Sequence, residues 1–430
     1  MPTAFLVVSL IGLAFTINAF RPLRAEALSL FTFFAGWLTS ELPIHHLVWQ
    51  AVAIAVFIAL GALHGWQGWV GLAVTALSWA GLVQLARLGT QAGAVVDDAM
   101  RADIGLEPPE GLPTKRQWKR LVRPFSAKDP EVRIVKDIPY VEGGGRRQRL
   151  DLHLPRRPAA RPAPVLVYVH GGGWTVGNKK DQGLPMINHL AAQGWVCVSP
   201  NYRLSPKVAF PEHLVDCKRA LRWVKEHIAD YGGDPDCIVV SGGSAGGHLC
   251  SLLALTPGRA DLQPGFEDMD LSVQAAVPIY GVYDFTNRDG LRGKQFTRVM
   301  GKTVMKAKIA DRPDLYALAS PMDQVREDAP PFMIIHGAND SLVPVGEARA
   351  FARLLRARSH APVVYAELPG AQHAFDVFRS LRSAEVVPRI EVFLRAVLGL
   401  GDPDEVAADE VAAAAPHRAD TVPSGPTGPN

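Results

Sequence analysis

The stretch Cys237-Ile-Val-Val-Ser-Gly-Gly-Ser-Ala-Gly246 decides the fold. Its first half is an apolar run suited to a buried strand. Its second half is a G-x-S-x-G turn, and the following His248-Leu-Cys-Ser-Leu-Leu-Ala-Leu255 suits a helix. A strand, a sharp turn and a helix in that order present the Ser244 hydroxyl above the edge of a sheet, and the flanking glycines remove side chains that would clash in the bend. A serine hydroxyl is a poor nucleophile unless a base takes its proton, so the reading requires partners elsewhere in the chain.

Upstream, Pro164-Val-Leu-Val-Tyr-Val169 is a second apolar run and ends in His170-Gly-Gly-Gly-Trp174. Glycines at a strand end free backbone N–H groups and admit a substrate carbonyl, so this loop and the amide of Ala245 suit an oxyanion hole. Downstream, Pro331-Phe-Met-Ile-Ile335 runs into His336-Gly-Ala-Asn-Asp340, and Val363-Val-Tyr-Ala-Glu-Leu368 into Pro369-Gly-Ala-Gln-His373. Ser244, Asp340 and His373 therefore follow one another in the order nucleophile, acid, base, each just past a strand. Each has a blander reading: a chance motif, an Asx turn, a surface histidine. Their joint order selects the catalytic one. Asp284 comes too early to be the acid, His248 is expected to pack behind the nucleophile, and His336 to be structural.

From about residue 133 to 398 the chain resembles the hormone-sensitive-lipase-like branch of the α/β-hydrolases. The likeness rests on His170-Gly-Gly-Gly-Trp174, Asn201-Tyr-Arg-Leu-Ser-Pro206 and Gly242-Gly-Ser-Ala-Gly-Gly247. The resemblance implies Ser244 as nucleophile, His373 as base and Asp340 as its orienter. It also implies oxyanion donors at the amides of Gly172, Gly173 and Ala245, with His170 and Gly171 supporting the loop. The acid segment, His336 to Pro344, departs from many members of that branch and looks closer to feruloyl-esterase and kynurenine-formamidase relatives. That departure leaves the acyl substrate open. Joined to its apolar N-terminus, the domain resembles actinobacterial membrane-associated carboxylesterases.

The expected function is thus carboxylic-ester hydrolysis (carboxylesterase or lipase) on an ester that membrane lipid could supply. Formamidase or amidase action, acyl transfer, and an inactive membrane-tethered binding scaffold stay open. No metal or organic cofactor is required. The 430 residues carry a formal charge of +3, which gives no reason to invoke nucleic acid. The four cysteines, Cys197, Cys217, Cys237 and Cys250, lack C-x-x-C pairing and read as buried small side chains. Asn339-Asp-Ser341 matches a glycosylation sequon, but a glycan there would press on the proposed acid.

Residues 1–90 read as a membrane anchor of three or four apolar segments. Residues 4–20, 47–63 and 69–85 carry no charge and approach the length of a span; 27–39 is shorter, an interfacial or re-entrant helix or part of a tilted fourth span. Tryptophans 37, 49, 66, 69 and 79 crowd this region, as indoles do near bilayer interfaces. A cleaved signal peptide is disfavoured because no basic residue precedes Arg21, and a buried helical subdomain because 47–63 shows no polar face at helical spacing. With four spans, Arg21 and Arg24 lie opposite the catalytic domain; with three, they share its side. The basic run Lys115-Arg-Gln-Trp-Lys-Arg-Leu-Val-Arg123 then favours a cytoplasmic domain, as headgroup contact or as a solvated linker.

Residues 91–132 are expected to be a linker with cap elements. Residues 133–400 should form the α/β-hydrolase domain, a mostly parallel sheet with helices on both faces. Its opening hairpin is read at 133–141 and 149–154, a helix at 211–231, and a covering insertion between 281 and 330. The Ala-, Pro-, Gly- and acid-rich residues 401–430 read as a disordered tail.

Overall fold

The computed structural model describes residues 1–23, 29–126, 128–157 and 161–401; Arg24 and all but the first residue of the expected tail lie outside them. Four helices open the chain: α1 (Pro2–Phe20), α2 (Ser29–Glu41), α3 (Pro43–Ala59) and α4 (Trp66–Ile104). By length and composition α1 and α4 are each able to cross a bilayer, and α2 meets α3 at a bend of 92°. A short α5 (Lys115–Arg120) follows.

The α1 and α4 helices run parallel. Thr75 donates to Ser9 at 3.0 Å, Thr16 and Ser78 share a hydrogen bond of 2.9 Å, and Phe5 lies against Gly71. Such small and hydroxyl-bearing residues let apolar helices approach closely. Leu47 of α3 packs where Ala19, Leu82 and Leu85 meet, so α3 runs back the other way and the 60–65 turn lies at the far end of the bundle.

The remaining chain alternates strands and helices: β1 (Val132–Pro139), β2 (Arg149–Pro155), β3 (Ala163–Val169), α6 (Leu184–Ala192), β4 (Val196–Pro200), α7 (Glu212–His227), β5 (Gly233–Gly243), α8 (Ala245–Leu255) and β6 (Ala275–Ile279). Then come α9 (Lys294–Met300), α10 (Pro313–Leu318), β7 (Phe332–Gly337), α11 (Val345–Arg358), β8 (Val363–Leu368) and α12 (Leu381–Leu398). The eight strands form one sheet in the order β1-β2-β4-β3-β5-β6-β7-β8. β2 pairs antiparallel with β1 and β4, and every other pairing is parallel. The interior strands are apolar on both faces, as a sheet covered on both sides requires. One core lies under α7, α8 and α11, and the other under α6, α12 and the second half of α4.

That last contribution changes the organisation read from sequence. The expected boundary at residue 90 falls inside α4, which continues unbroken to Ile104. Ala92, Val96 and Met100, one helical face, are buried against the sheet. Leu381 closes on Gly89, and Glu385 and Arg389 close on Gly93, where a β-carbon would lie only 2.3 Å from Glu385 Oε2. Arg389 reaches Asp97 at 2.8 and 2.9 Å. A single helix thus belongs to both the apolar bundle and the sheet domain.

Candidate active site

Ser244 occupies the turn between β5 and α8 at φ 58°, ψ −120°, a conformation that costs an L-residue about 1–3 kcal/mol. The surrounding backbone over-determines it: Ser244 N–H donates to Ile279 O, and its carbonyl accepts from His248 N–H, both at 3.0 Å. Gly246 is obligatory, since a β-carbon there would stand 2.0 Å from Val169 O.

The 170–173 loop runs beside this turn; a β-carbon on Gly171 would lie 3.1 Å from that of Ser244. The amide of Gly171 is taken by Gln182 Oε1 at 2.7 Å. The amides of Gly172, Gly173 and Ala245 donate to no acceptor among the described residues. Gly172 holds φ +108°, with Val176 O only 2.3 Å from where a β-carbon would be. His170 is fully buried, stacked on Tyr202 at 4.4 Å, and burial pushes its imidazole down to about 4. It is therefore neutral, and its Nδ1 donates to Gly171 O at 2.8 Å, tying the ring to the loop. Trp174 Nε1 donates to His248 Nδ1 at 3.2 Å, while His248 Nε2 donates to Ala319 O at 2.7 Å. Burial pushes His248 down to about 3, so this neutral imidazole ties the loop to the helix behind the serine.

Asp340 and His373 come together from the ends of β7 and β8. His373 Nδ1 lies 2.6 Å from Asp340 Oδ2. The other carboxylate oxygen accepts from the amides of Leu342 and Val343 at 2.8 and 2.7 Å. Burial alone would raise the Asp340 carboxyl, but His373 and His336, hydrogen-bonded to it, outweigh burial and hold it well below the usual range. An ionised Asp340 fixes the proton of His373 on Nδ1 and leaves Nε2 as an acceptor. His336 Nε2 stands 3.2 Å from Asp340 Oδ2 and 3.1 Å from Val343 O.

Asp284 is committed elsewhere, accepting from Thr286 and Arg288. Tyr280 touches both the serine turn and the base: its hydroxyl would lie 2.6 Å from a β-carbon on Gly243, and its ring centroid is 4.6 Å from that of His373. No hydrogen bond joins Ser244 Oγ to His373 among the described residues; such contacts often tighten only with substrate bound.

Sequence reasoning missed several neighbours. Tyr280 donates to Asp376, whose carboxyl burial raises to about 6 against that hydrogen bond. Gln372 Oε1 accepts from the amides of Ser341 and His373, both at 2.8 Å. From the N-terminal helices, Trp37 Nε1 donates to Ala374 O at 2.8 Å, and Phe33 meets the His373 ring edge-on at 6.1 Å. Asn339 Nδ2 donates to Ala19 O and Phe20 O at 3.2 and 3.1 Å, so its amide is engaged by the end of α1. These contacts join residues more than 300 positions apart, and no local motif announces them.

The expected cover between residues 281 and 330 is partly helical. Phe285 packs on Trp174 and His248 at 5.2 and 4.8 Å. A cavity of about 870 Å³ lies further out in this segment, ringed by Arg292, Lys294, Arg298, Lys302, Lys306 and Lys308, and none of Ser244, Asp340 or His373 lines it.

Sheet order, the strained serine turn and the strand-end side chains define an α/β-hydrolase. The family model described as BD-FAE matches residues 150–355. The chain is 44% identical over 407 residues to the probable carboxylic ester hydrolase LipM of Mycobacterium tuberculosis, covering 91% of this chain and 93% of that protein. It is 47% identical over 268 residues to esterase LipQ of the same organism, covering 62% of this chain and 63% of LipQ. The propionate-bound esterase Est2 of Thermogutta terrifontis is similar in structure, with a TM-score of 0.52 at 26% identity, covering 64% of this chain and 97% of Est2. The chain belongs to the family of the mycobacterial esterases LipM, LipQ and LipC, hormone-sensitive-lipase-like α/β-hydrolases, and is a carboxylic ester hydrolase.

Proposed function

We propose that this chain is a membrane-anchored serine esterase working through Ser244, His373 and Asp340. The observation that carries the reading is the 2.6 Å contact of His373 Nδ1 with an ionised Asp340, beside a serine held at φ 58°. His373 Nε2 takes the Ser244 proton as Oγ bonds to the ester carbonyl carbon. The carbonyl oxygen becomes an oxyanion that accepts from the uncommitted amides of Gly172, Gly173 and Ala245. The bond to the leaving alkoxide breaks as His373 returns the proton to it. Water then repeats the sequence on the acyl-enzyme, releasing the acid and restoring Ser244. Asp340 stays ionised throughout and stabilises the imidazolium. His170 and Gly171 support the loop.

In the same reading α1, α3 and the first half of α4 span the bilayer. The far turn, residues 60–65, carries no lysine or arginine, whereas Arg21, Arg87, Lys115, Lys119, Arg120 and Arg123 fall on the side of the catalytic domain. The positive-inside tendency then makes that side cytoplasmic. The test is labelling with a fluorophosphonate in isolated membranes. Label should attach to wild type, survive carbonate washing with the membrane fraction, and vanish in Ser244→Ala. A folded wild-type protein that takes no label refutes the mechanism.

A further inference from the structure

The helix α2 has two unlike faces. Thr32, Phe33, Thr39 and Ser40 are buried, and this side holds the base loop through Phe33 against His373 and Trp37 on Ala374 O. Leu30, Phe31, Phe34 and Leu38 are exposed, Leu30 by 63% and Phe31 by 67%. At about 100° per residue these four positions share an arc of about 100° on the opposite side. The described part of α2 carries no charge before Glu41, which is itself buried and paired with Arg382 at 2.7 Å. Water has nothing to solvate on that outer face.

The occupant of this face follows from the bend. With α3 along the bilayer normal, the 92° angle lays α2 in the plane of the membrane, at the end of the bundle that meets the catalytic domain. Ile17 of α1 and Ile44 and Val48 of α3, the helices on either side of α2 in the chain, are exposed as well. On the other flank Trp37 touches Phe378 at 5.1 Å, and Phe378 touches the exposed Phe125 at 5.2 Å. An uncharged apolar stripe of this kind, lying in plane beside spanning helices, rests in the boundary between headgroups and acyl chains.

We infer that α2 is a half-embedded in-plane helix that sets the mouth of the Ser244 site at the acyl-chain boundary, so that the substrate is an acyl ester resident in the membrane and taken sideways from it. The inference rests on the esterase reading above. It is tested with the full chain in phosphatidylcholine nanodiscs, using water-soluble p-nitrophenyl acetate and disc-borne dioleoylglycerol. Leu30→Ser with Phe31→Ser should leave acetate hydrolysis within about 2-fold of wild type and lower dioleoylglycerol hydrolysis at least 10-fold. The gentler pair Leu30→Ala with Phe31→Ala, which removes area without adding polarity, should give an intermediate loss on dioleoylglycerol alone. Equal losses on both substrates, unchanged dioleoylglycerol turnover in both pairs, or a wild type active on acetate but inert to dioleoylglycerol overturns the inference while leaving the esterase standing. A wild type inert to both substrates and to fluorophosphonate overturns the esterase reading first.

Discussion

At the residue scale the proposed chemistry turns on which nitrogen of His373 carries a proton. Asp340 Oδ1 accepts from two backbone amides, so an asparagine at 340 would keep its oxygen there and turn its NH2 group toward His373 Nδ1. The imidazole would then hold its proton on Nε2, where it cannot accept one from Ser244. Asp340→Asn should therefore lower kcat by about 10⁴ while leaving fold and melting temperature nearly intact, checked by steady-state hydrolysis of a p-nitrophenyl ester beside circular dichroism. Gly172→Ala acts on the opposite partner. Its β-carbon meets Val176 O at 2.3 Å, and φ +108° does not suit alanine, so the loop must shift and with it the amides of Gly172 and Gly173. A loss of about 100- to 1,000-fold in kcat with KM little changed is expected from the same assay. These positions were legible because each ends an apolar run that reads as a strand. Tyr280, Asp376 and Gln372 were not, because ordinary strand and loop residues acquire their roles only when β6, β7 and β8 lie side by side.

At the element scale the two halves of the chain are locked through buried charge. Arg382 at the start of α12 and Glu41 at the end of α2 are both almost fully buried, and Arg382 also donates to Ser40 O at 3.1 Å. Arg382→Ala would strand the Glu41 carboxylate without a counter-ion, at a cost of about 3–5 kcal/mol. The pair Arg382→Met with Glu41→Leu should recover most of that loss, because removing both charges leaves neither unpaired. Melting temperatures in detergent micelles check both outcomes. The hydrolase core was legible here from the alternation of apolar runs and amphipathic segments, and the opening hairpin from two runs flanking Gly143-Gly-Gly145. The reach of α4 was not. After Leu88 the sequence turns to Gly89, Thr90, Gln91 and later Asp97 and Asp98, and the loss of continuous apolarity reads as an end of the anchor. The helix continues because Ala92, Val96 and Met100 bury against the sheet, while Asp97 turns to Arg389.

At the scale of the whole molecule, stability against acid is set by imidazoles folded away neutral. Burial pushes His153, His170 and His213 down to about 4 and His248 to about 3. Each takes up a proton near 6.5 when unfolded but not when folded, so each contributes stability above 6.5 that drains away as the pH falls. Two buried carboxyls oppose them. Burial raises Asp376 to about 6 and Glu385 to about 7, so these bind protons in the folded state before the unfolded one and gain stability on acidification. Between about pH 6 and 4.5 four groups therefore work against two, and the net uptake of about two protons on unfolding costs about 3 kcal/mol per pH unit. Set against a typical 5–15 kcal/mol, that slope dominates acid behaviour. The melting temperature in detergent micelles should fall steeply as the pH drops across this window. His248→Gln isolates one contributor, since glutamine offers a donor for Ala319 O and an acceptor for Trp174 Nε1 without titrating. Its slope over the same window should be about half that of wild type; an unchanged slope would mean that the buried imidazole at 248 is not among the groups that set it.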